Sequence, residues 1–126
     1  MTEYFDNTVA YLEIHDFDKK TGDLISKGIS KGIPVVIMVQ SSHCGHCISA
    51  KPAFQSFARA NKGKVFCATI QVDGERESEI QLGQILKNLK PSFRGFPDYL
   101  LYKNGKRAIR EPAGRGVKDL QDFSRL

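Results

Sequence analysis

The sequence contains no tryptophan, only two methionines and only three cysteines. Three cysteines are too few for the disulfide framework that holds many small secreted domains together. No apolar run is long enough to cross a membrane, and the first residues lack the basic-then-apolar pattern of a secretory signal. These absences predict a cytoplasmic protein that has no membrane partner.

A strong excess of one charge is also absent. Lysine and arginine number 19 against 14 aspartates and glutamates, and the basic residues are scattered along the chain. This pattern is typical of a solvated surface, and no nucleic-acid motif accompanies it, so we expect no nucleic-acid partner. The length and the 40% hydrophobic content favour a single domain spanning residues 1–126.

Apolar residues follow two different periods along the first third of the chain. Residues 9–14 alternate as a strand does, and residues 24–29 place leucine and isoleucine at helical spacing. Gly32 and Pro34 form a stop signal for that helix, because glycine suits a left-handed cap and proline cannot continue it. The β-branched run 35–39 then suits a strand buried on both faces. This strand–helix–strand order favours parallel pairing.

The rest of the chain continues the alternation of helices and strands. Asn104 and Gly105 stand between two short strand-like segments and are a strong hairpin signal. Cys67 lies within a predicted strand, where an unpaired cysteine most often packs as a small apolar residue. The remaining predicted elements are a helix to about residue 60, a strand over 65–72, a helix over 77–89, strands over 99–102 and 107–110, and a helix over 117–123.

Two of the cysteines, Cys44 and Cys47, follow the buried strand with two residues between them. At the start of a helix, residues three apart lie on one face, so the two sulfurs can meet within disulfide reach. The spacing indicates a redox dithiol, which needs no cofactor. A thiol at a helix N-terminus meets unpaired N–H groups and the positive end of the dipole, which favour its thiolate. We therefore expect Cys44 to attack and Cys47, one turn further in, to resolve.

This stretch resembles the active site of the thioredoxin superfamily, and Cys-Gly-His-Cys is the form typical of protein disulfide isomerase domains. Pro52 stands five residues past Cys47, as a helix proline does in thioredoxins. Residues 94–97 (Arg-Gly-Phe-Pro) resemble the stretch that carries the family's cis-proline, and residues 102–106 (Tyr-Lys-Asn-Gly-Lys) resemble its hairpin. The resemblance covers about residues 9–123. It implies an α/β thioredoxin fold, with a central mixed sheet of four to five strands flanked by about four helices.

The resemblance also implies a function and its partners. It implies a thiol–disulfide oxidoreductase that oxidises, reduces or isomerises disulfides of protein substrates, together with a separate partner that recycles Cys44 and Cys47. It implies that Phe96 and Pro97 form the substrate side of the site. Pro97 has no N–H, and the backbone of Phe96 can pair with a bound peptide in the manner of a strand.

Two histidines adjoin the cysteines. In the isomerase domains that the motif resembles, a histidine between the cysteines stabilises the reduced form. His46 therefore implies a reduction potential nearer roughly −180 mV than −270 mV. His43 stands where the family usually has tryptophan, and it either adds a second cation beside Cys44 or is an exposed loop residue.

Three further positions depart from the family. An alignment without gaps puts Met38 where a buried carboxylate is usual and Thr69 where thioredoxins have the accompanying lysine. Losing both charges together is self-consistent, because one buried charge without the other is costly. It also removes the group that would accept the proton of Cys47. Asp98, finally, replaces the threonine that usually follows the proline at position 97.

Two other functions stay open on these residues. A thioredoxin-like module that binds a partner with little turnover fits the missing charges and the long segment between residues 74 and 92. A zinc site could draw ligands from residues 43–47. However, a closed site usually needs two separated ligand pairs, and neither Cys67 nor His15 has paired spacing, so we expect no metal.

The last three residues, Ser-Arg-Leu, resemble a peroxisomal address, although three-residue matches arise often by chance. An isomerase-type motif without a signal sequence suggests oxidative folding in the cytosol. This setting favours an organism or a virus with its own disulfide relay.

Overall fold

The computed structural model describes residues 4–29 and 32–125. The tripeptide Ser-Arg-Leu ends at Leu126, outside the described residues. Within the described ranges, no helix is both long and apolar enough to cross a membrane. The strands are β1 (Val9–Tyr11), β2 (Val35–Gln40), β3 (Phe66–Gln71), β4 (Asp98–Lys103) and β5 (Lys106–Ala108). The helices are a short 3-10 helix (Ile14–Asp16), α1 (Gly45–Ala60), α2 (Glu77–Gln84), α3 (Leu86–Leu89) and α4 (Val117–Ser124).

The five strands form one mixed sheet with the order β1-β3-β2-β4-β5. Strands β1 and β2 both pair with β3 in parallel, β4 pairs antiparallel with β2, and β5 pairs antiparallel with β4. β1 and β2 are therefore parallel, as predicted, although β3 lies between them. The predicted α/β architecture, a central mixed sheet flanked by about four helices, is confirmed.

Strand β2 lies at the centre of the core, and all six of its residues are buried. Val36 and Met38 belong to a core cluster with apolar residues of α1 and α4. Val35, Ile37 and Val39 belong to a second cluster with apolar residues of α2 and α3. An apolar, mostly β-branched strand is suited to this position, because it meets a hydrophobic layer on each face.

One edge of the sheet gathers the residues that the sequence marks as functional. β2 and β3 are parallel, so the carboxyl ends of both strands lie at this edge. β4 begins here, because it is antiparallel to β2 and Asp98 lies opposite Val39. The peptide bond between Phe96 and Pro97, directly before β4, is cis, as the resemblance implied. The loop into α1, the residues after β3 and the residues before β4 therefore meet at one place.

The helix predicted over residues 24–29 is wrong. The chain forms turns and one isolated bridge there. The N–H of Leu24 donates to the carbonyl of Gly105 at 2.9 Å. The N–H of Ile25 donates to the carbonyl of Asp16 at 2.8 Å. These bonds, together with the antiparallel bridge between Phe17 and Leu24, pair the start of this segment with other parts of the chain instead of with a helical turn of its own.

Two other elements differ from the prediction in extent. The strand predicted over residues 9–14 ends at Tyr11, and the 3-10 helix follows. The helix predicted over residues 77–89 is interrupted at Ile85, which ends α2 and precedes α3. The N–H of Ile85 bonds to the carbonyl of Leu82, three residues back, instead of the fourth residue back. This tightened turn ends the α-helical ladder.

The aromatic side chain of Phe54 is the centre of the packing between α1 and the sheet. It is fully buried, and its ring centroid lies 5.5 Å from that of Phe5 and 6.2 Å from that of Tyr99. We predict that Phe54→Ala lowers the free energy of unfolding by about 3–5 kcal/mol, because it leaves a cavity between helix and sheet. Urea denaturation measures this loss. Ile109→Ala is the control, since Ile109 is 89% exposed and its truncation should change stability by at most about 0.5 kcal/mol. Similar losses in both variants would contradict this account of the core.

Candidate active site

The side chain of Cys44 caps the N-terminus of α1. Its backbone is extended (φ −98°, ψ 112°), and α1 begins at the next residue. The N–H of Cys47 donates to the Sγ of Cys44 at 3.1 Å. This is the position in which an N-cap side chain satisfies an unpaired helix donor. A thiolate there accepts a stronger hydrogen bond than a thiol does. The predicted placement of Cys44 at the helix terminus is confirmed.

Cys47 lies one turn further in and is 1% exposed, whereas Cys44 is partly exposed. Both cysteines are free thiols. Burial, and after it the neighbouring Cys44 side chain, raise the pKa of the Cys47 thiol to about 12. Cys47 therefore holds its proton at neutral pH, and a reaction that uses its sulfur must first remove that proton.

A carboxylate from the neighbouring strand holds the loop that precedes Cys44. Asp73, just past β3, accepts a hydrogen bond of 3.0 Å from the N–H of Ser42 and another from the Ser42 hydroxyl. The imidazole Nε2 of His43 lies 3.8 Å from the same carboxylate, and the side chain of His43 is 90% exposed. His46, in the first turn of α1, is also exposed. The active-site loop and β3 are thus joined at the edge where the strands end.

The ammonium of Lys90 is buried next to the segment that carries the cis-proline. Phe96 is partly buried against both core clusters. The ammonium of Lys90, whose side chain is 4% exposed, donates to Asp98 at 2.9 Å, to Glu111 at 2.6 Å and to the carbonyl of Tyr99 at 3.2 Å. Asp98, which departs from the family at this position, is therefore one of two carboxylates that neutralise Lys90. A buried ammonium with fewer partners would be costly.

A neutral chain of hydrogen bonds occupies the positions where the family usually has charges. Met38 and Thr69 lie opposite each other in the register of β2 and β3, and both are fully buried. The Thr69 hydroxyl donates to the Met38 carbonyl at 2.8 Å and accepts from Nε2 of Gln40 at 2.8 Å. Gln40 is fully buried as well. The Thr69 hydroxyl thus has a neutral donor and a neutral acceptor as partners, without a buried ion pair.

Three residues of this site were missed in the sequence. Gln40 lies outside the strand predicted over residues 35–39, but it is the last residue of β2. Lys90 is isolated in the sequence, and only the start of β4 brings its partners near. Asp73 carried a detectable signal, since an acidic residue after one parallel strand faces the turn that follows the next strand.

The third cysteine and the metal hypothesis have separate outcomes. Cys67 is buried in β3, packs in the core cluster with α1, and has a pKa raised to about 12 by burial. It behaves as a small apolar residue in the structure.

Within residues 4–29 and 32–125, no group of three or more His, Cys, Asp or Glu side chains is arranged to hold a metal ion.

Asp73 gives the fold a pH dependence that can be measured. Burial tends to raise the pKa of its carboxyl, but the Ser42 hydroxyl and N–H donors outweigh this and hold the pKa below its usual value. The ionised group therefore stabilises the fold above about pH 4, and this contribution is lost as the pH falls through the lowered pKa. We predict that Asp73→Asn is about 1 kcal/mol less stable than wild type at neutral pH.

Urea unfolding at a series of pH values tests this. The stability gap between Asp73→Asn and wild type should narrow on acidification. Asp122→Asn is the matched control, because Asp122 is an exposed residue of α4. A gap that stays constant from neutral to acid pH would show that the charge of Asp73 does not hold the loop.

Sequence comparison matches the thioredoxin family model over residues 17–125. A thioredoxin-like protein of Invertebrate iridescent virus 6 is 41% identical over 133 residues, which is 96% of this chain and 95% of the viral protein. A thioredoxin domain-containing protein of Theileria parva is 33% identical over 81 residues, which is 64% of this chain and 33% of that protein.

Solved structures show the same fold at low sequence identity. Human ERp44 superposes with a TM-score of 0.69 at 17% identity, covering 98% of this chain and 29% of that chain. The Trx4 domain of ERdj5 superposes with a TM-score of 0.61 at 19% identity, covering 92% of this chain and 91% of that chain. The chain spans 49% of a third structure, the J-Trx1 fragment of ERdj5, with a TM-score of 0.64. On the family match, the viral relative and the shared fold, this chain belongs to the thioredoxin family.

Proposed function

We propose that the protein is a thiol–disulfide oxidoreductase that acts on protein substrates through Cys44 and Cys47. The observation that carries this proposal is a partly exposed thiol at a helix cap, whose Sγ accepts the backbone N–H of a second cysteine that is buried one turn further in. The accessible thiol can meet a substrate, and the buried one is protected from reacting first. Thioredoxin-family domains usually carry this activity, which supports the same assignment.

The reaction is a two-electron exchange between sulfur atoms. The Cys44 thiolate attacks one sulfur of a substrate disulfide, forms a mixed disulfide and expels the other substrate sulfur as a thiolate. Cys47 then loses its proton and attacks the Sγ of Cys44. A Cys44–Cys47 disulfide forms, and the second substrate sulfur leaves as a thiolate that takes a proton from solvent. The substrate is reduced and the protein is oxidised, and the reverse sequence oxidises a substrate dithiol. A separate redox partner would restore the starting state.

The residues around the pair have proposed roles as well. His46 acts as a cation that stabilises the reduced state, and His43 can add to this from the preceding loop. The backbone of Phe96, beside Pro97, pairs with an extended substrate segment. The position of these residues at the start of β4, antiparallel to the strand that leads into Cys44, supports this role. Isomerase-like behaviour and a cytoplasmic site of action remain predictions, and similarity to a viral protein supports the predicted viral setting.

Trapping of the mixed disulfide tests the activity against a binding module. In Cys47→Ser, Cys44 can attack a substrate but nothing resolves the product. We predict that this variant accumulates mixed disulfides with lysate proteins, which non-reducing gels and mass spectrometry detect. Cys44→Ser should abolish them, and Cys67→Ser should leave them unchanged because Cys67 is buried. Partners that survive reductant and the Cys44→Ser change would instead establish a binding module with little turnover.

The reduction potential tests the role of His46. A cation near the thiolate stabilises the reduced form and so raises the potential. We predict a potential nearer roughly −180 mV than −270 mV in glutathione titration, and a more negative value for His46→Ala. His15→Ala is the matched control, since His15 lies in the 3-10 helix. A wild-type value at or below the thioredoxin figure would refute the tuning role.

A further inference from the structure

A cavity of about 530 Å³ lies beside the buried cysteine. Its wall contains Cys47 and Lys51, which are one turn apart on the same face of α1. Gln40, from the end of β2, also lines it, and residues 4–6 line another part of the wall. The cavity therefore brings the thiol that must lose a proton together with the buried amide of Gln40 and the cationic side chain of Lys51.

The amide of Gln40 is incompletely satisfied. Its Nε2 donates to Thr69 at 2.8 Å, but its Oε1 has no hydrogen-bond partner among the described residues. A buried acceptor without a donor is costly, and native structures usually supply water or another group at such a point. Gln40 borders the neighbouring cavity, which is large enough for water and has some polar groups in its wall, so water in the cavity is the nearest source of a donor for Oε1.

The ammonium of Lys51 brings positive charge to the same cavity. It lies 5.4 Å from the ring centroid of Phe5, which holds it at the wall by a cation–π contact. Burial is the main influence on the pKa of Cys47 and raises it, while the charge of Lys51 acts in the opposite direction. Lys51 thus favours the ionised form of a sulfur that its surroundings otherwise keep protonated.

We propose that Cys47 loses its proton into this cavity, where Gln40 positions the accepting water and Lys51 stabilises the thiolate that is formed. This inference rests on the proposed function, because it concerns resolution of the mixed disulfide. The proton passes from Cys47 to water and on to solvent. The sulfur left behind attacks Cys44, a Cys44–Cys47 bond forms, the bond to the substrate breaks, and the substrate leaves as a thiolate.

Asp6 also lines the cavity, but its carboxylate is already hydrogen-bonded to other residues. Asp6 accepts hydrogen bonds from Thr8, Gln55 and Arg59, the last at 2.8 Å. The bonds from Thr8 are the largest cause that holds the pKa of Asp6 well below its usual value. A carboxylate that is such a weak base has little advantage over water as the acceptor of a thiol proton. Water ordered by a neutral amide, together with a nearby cation, replaces the missing base.

Other ionisable groups near Cys47 do not account for proton loss near neutral pH. Burial raises the pKa of Tyr99, on β4, to about 12. The hydrogen bond from Tyr4 to Glu75 raises the pKa of Tyr4 to about 12. Helix α4 contributes buried apolar residues to the core cluster that contains Cys47. Lys51 and Arg59 also line the cavity, and Cys44 and His46 lie at the start of α1.

A reaction with two separable phases tests the proposal. Dithiodipyridine is an uncharged disulfide whose leaving group, thiopyridone, absorbs ultraviolet light. Attack by Cys44 releases one thiopyridone in a phase that depends on reagent concentration. Attack by Cys47 on the resulting mixed disulfide releases the second thiopyridone in a phase whose rate does not depend on reagent concentration. Stopped-flow absorbance of the reduced full chain with one equivalent of reagent separates the two phases over a range of pH.

We expect Lys51→Met to slow the second phase roughly tenfold and to move its pH dependence to higher pH, since one pKa unit is a tenfold change in thiolate below the pKa. Lys51→Arg keeps the charge and should restore both the rate and the pH profile. Lys62→Met, which removes an exposed lysine just past the end of α1, is the control and should change neither.

Gln40→Leu should slow the second phase roughly fivefold through loss of one hydrogen bond to the accepting water, with little change in the first phase. Gln40→Glu is a second variant that retains an acceptor, and it should resolve at least as fast as wild type. If both phases are observed and the rate of the second phase is unchanged in Lys51→Met and in Gln40→Leu, this inference is overturned. Absence of the first phase, with no mixed disulfide at Cys44, would instead overturn the proposed function.

Discussion

The burial of β2 on both faces is the constraint on which the rest of this structure depends. Its six buried residues hold the strand between β3 and β4 and between two hydrophobic layers. The chain must leave such a strand at the sheet edge, and there it turns directly into α1. Cys44 is therefore fixed at a helix terminus by packing that begins several residues earlier. The chemistry of the sulfur depends on that position, because the helix supplies its hydrogen-bond donor.

Much of this arrangement could be predicted from the sequence because its signals are local. A β-branched run followed by Cys-x-x-Cys predicted β2, the start of α1 and both cysteine positions. Asn104 and Gly105 predicted the hairpin, and both have the positive φ angles that such a turn requires (51° and 82°). The failures have non-local causes. Residues 24–29 have helical spacing, but their backbone donors bond to segments distant in sequence.

Among the polar residues of the site, too, some positions had a local sequence signal and others depend on contacts between distant segments. Alignment indicated that charges are missing at Met38 and Thr69, and the structure adds that these two residues face each other. Gln40 completes that neutral chain, yet it could not be recognised before the end of β2 was known. Lys90 likewise has no sequence signal, because its carboxylate partners come from separate segments. The molecule thus keeps a buried cation next to the cis-proline segment and has neutral side chains at Met38, Thr69 and Gln40.

The cap at the start of α1 connects the redox state of the protein to the stability of its fold. A thiolate at Cys44 accepts the Cys47 N–H as a charge-assisted bond, whereas a sulfur in a disulfide is a much weaker acceptor. Oxidation therefore weakens this hydrogen bond in the first turn of the helix, and the loss opposes the stability that a disulfide gives by constraining the unfolded chain. Because the two processes form one thermodynamic cycle, any change that tightens this turn in the reduced protein makes its disulfide a stronger oxidant.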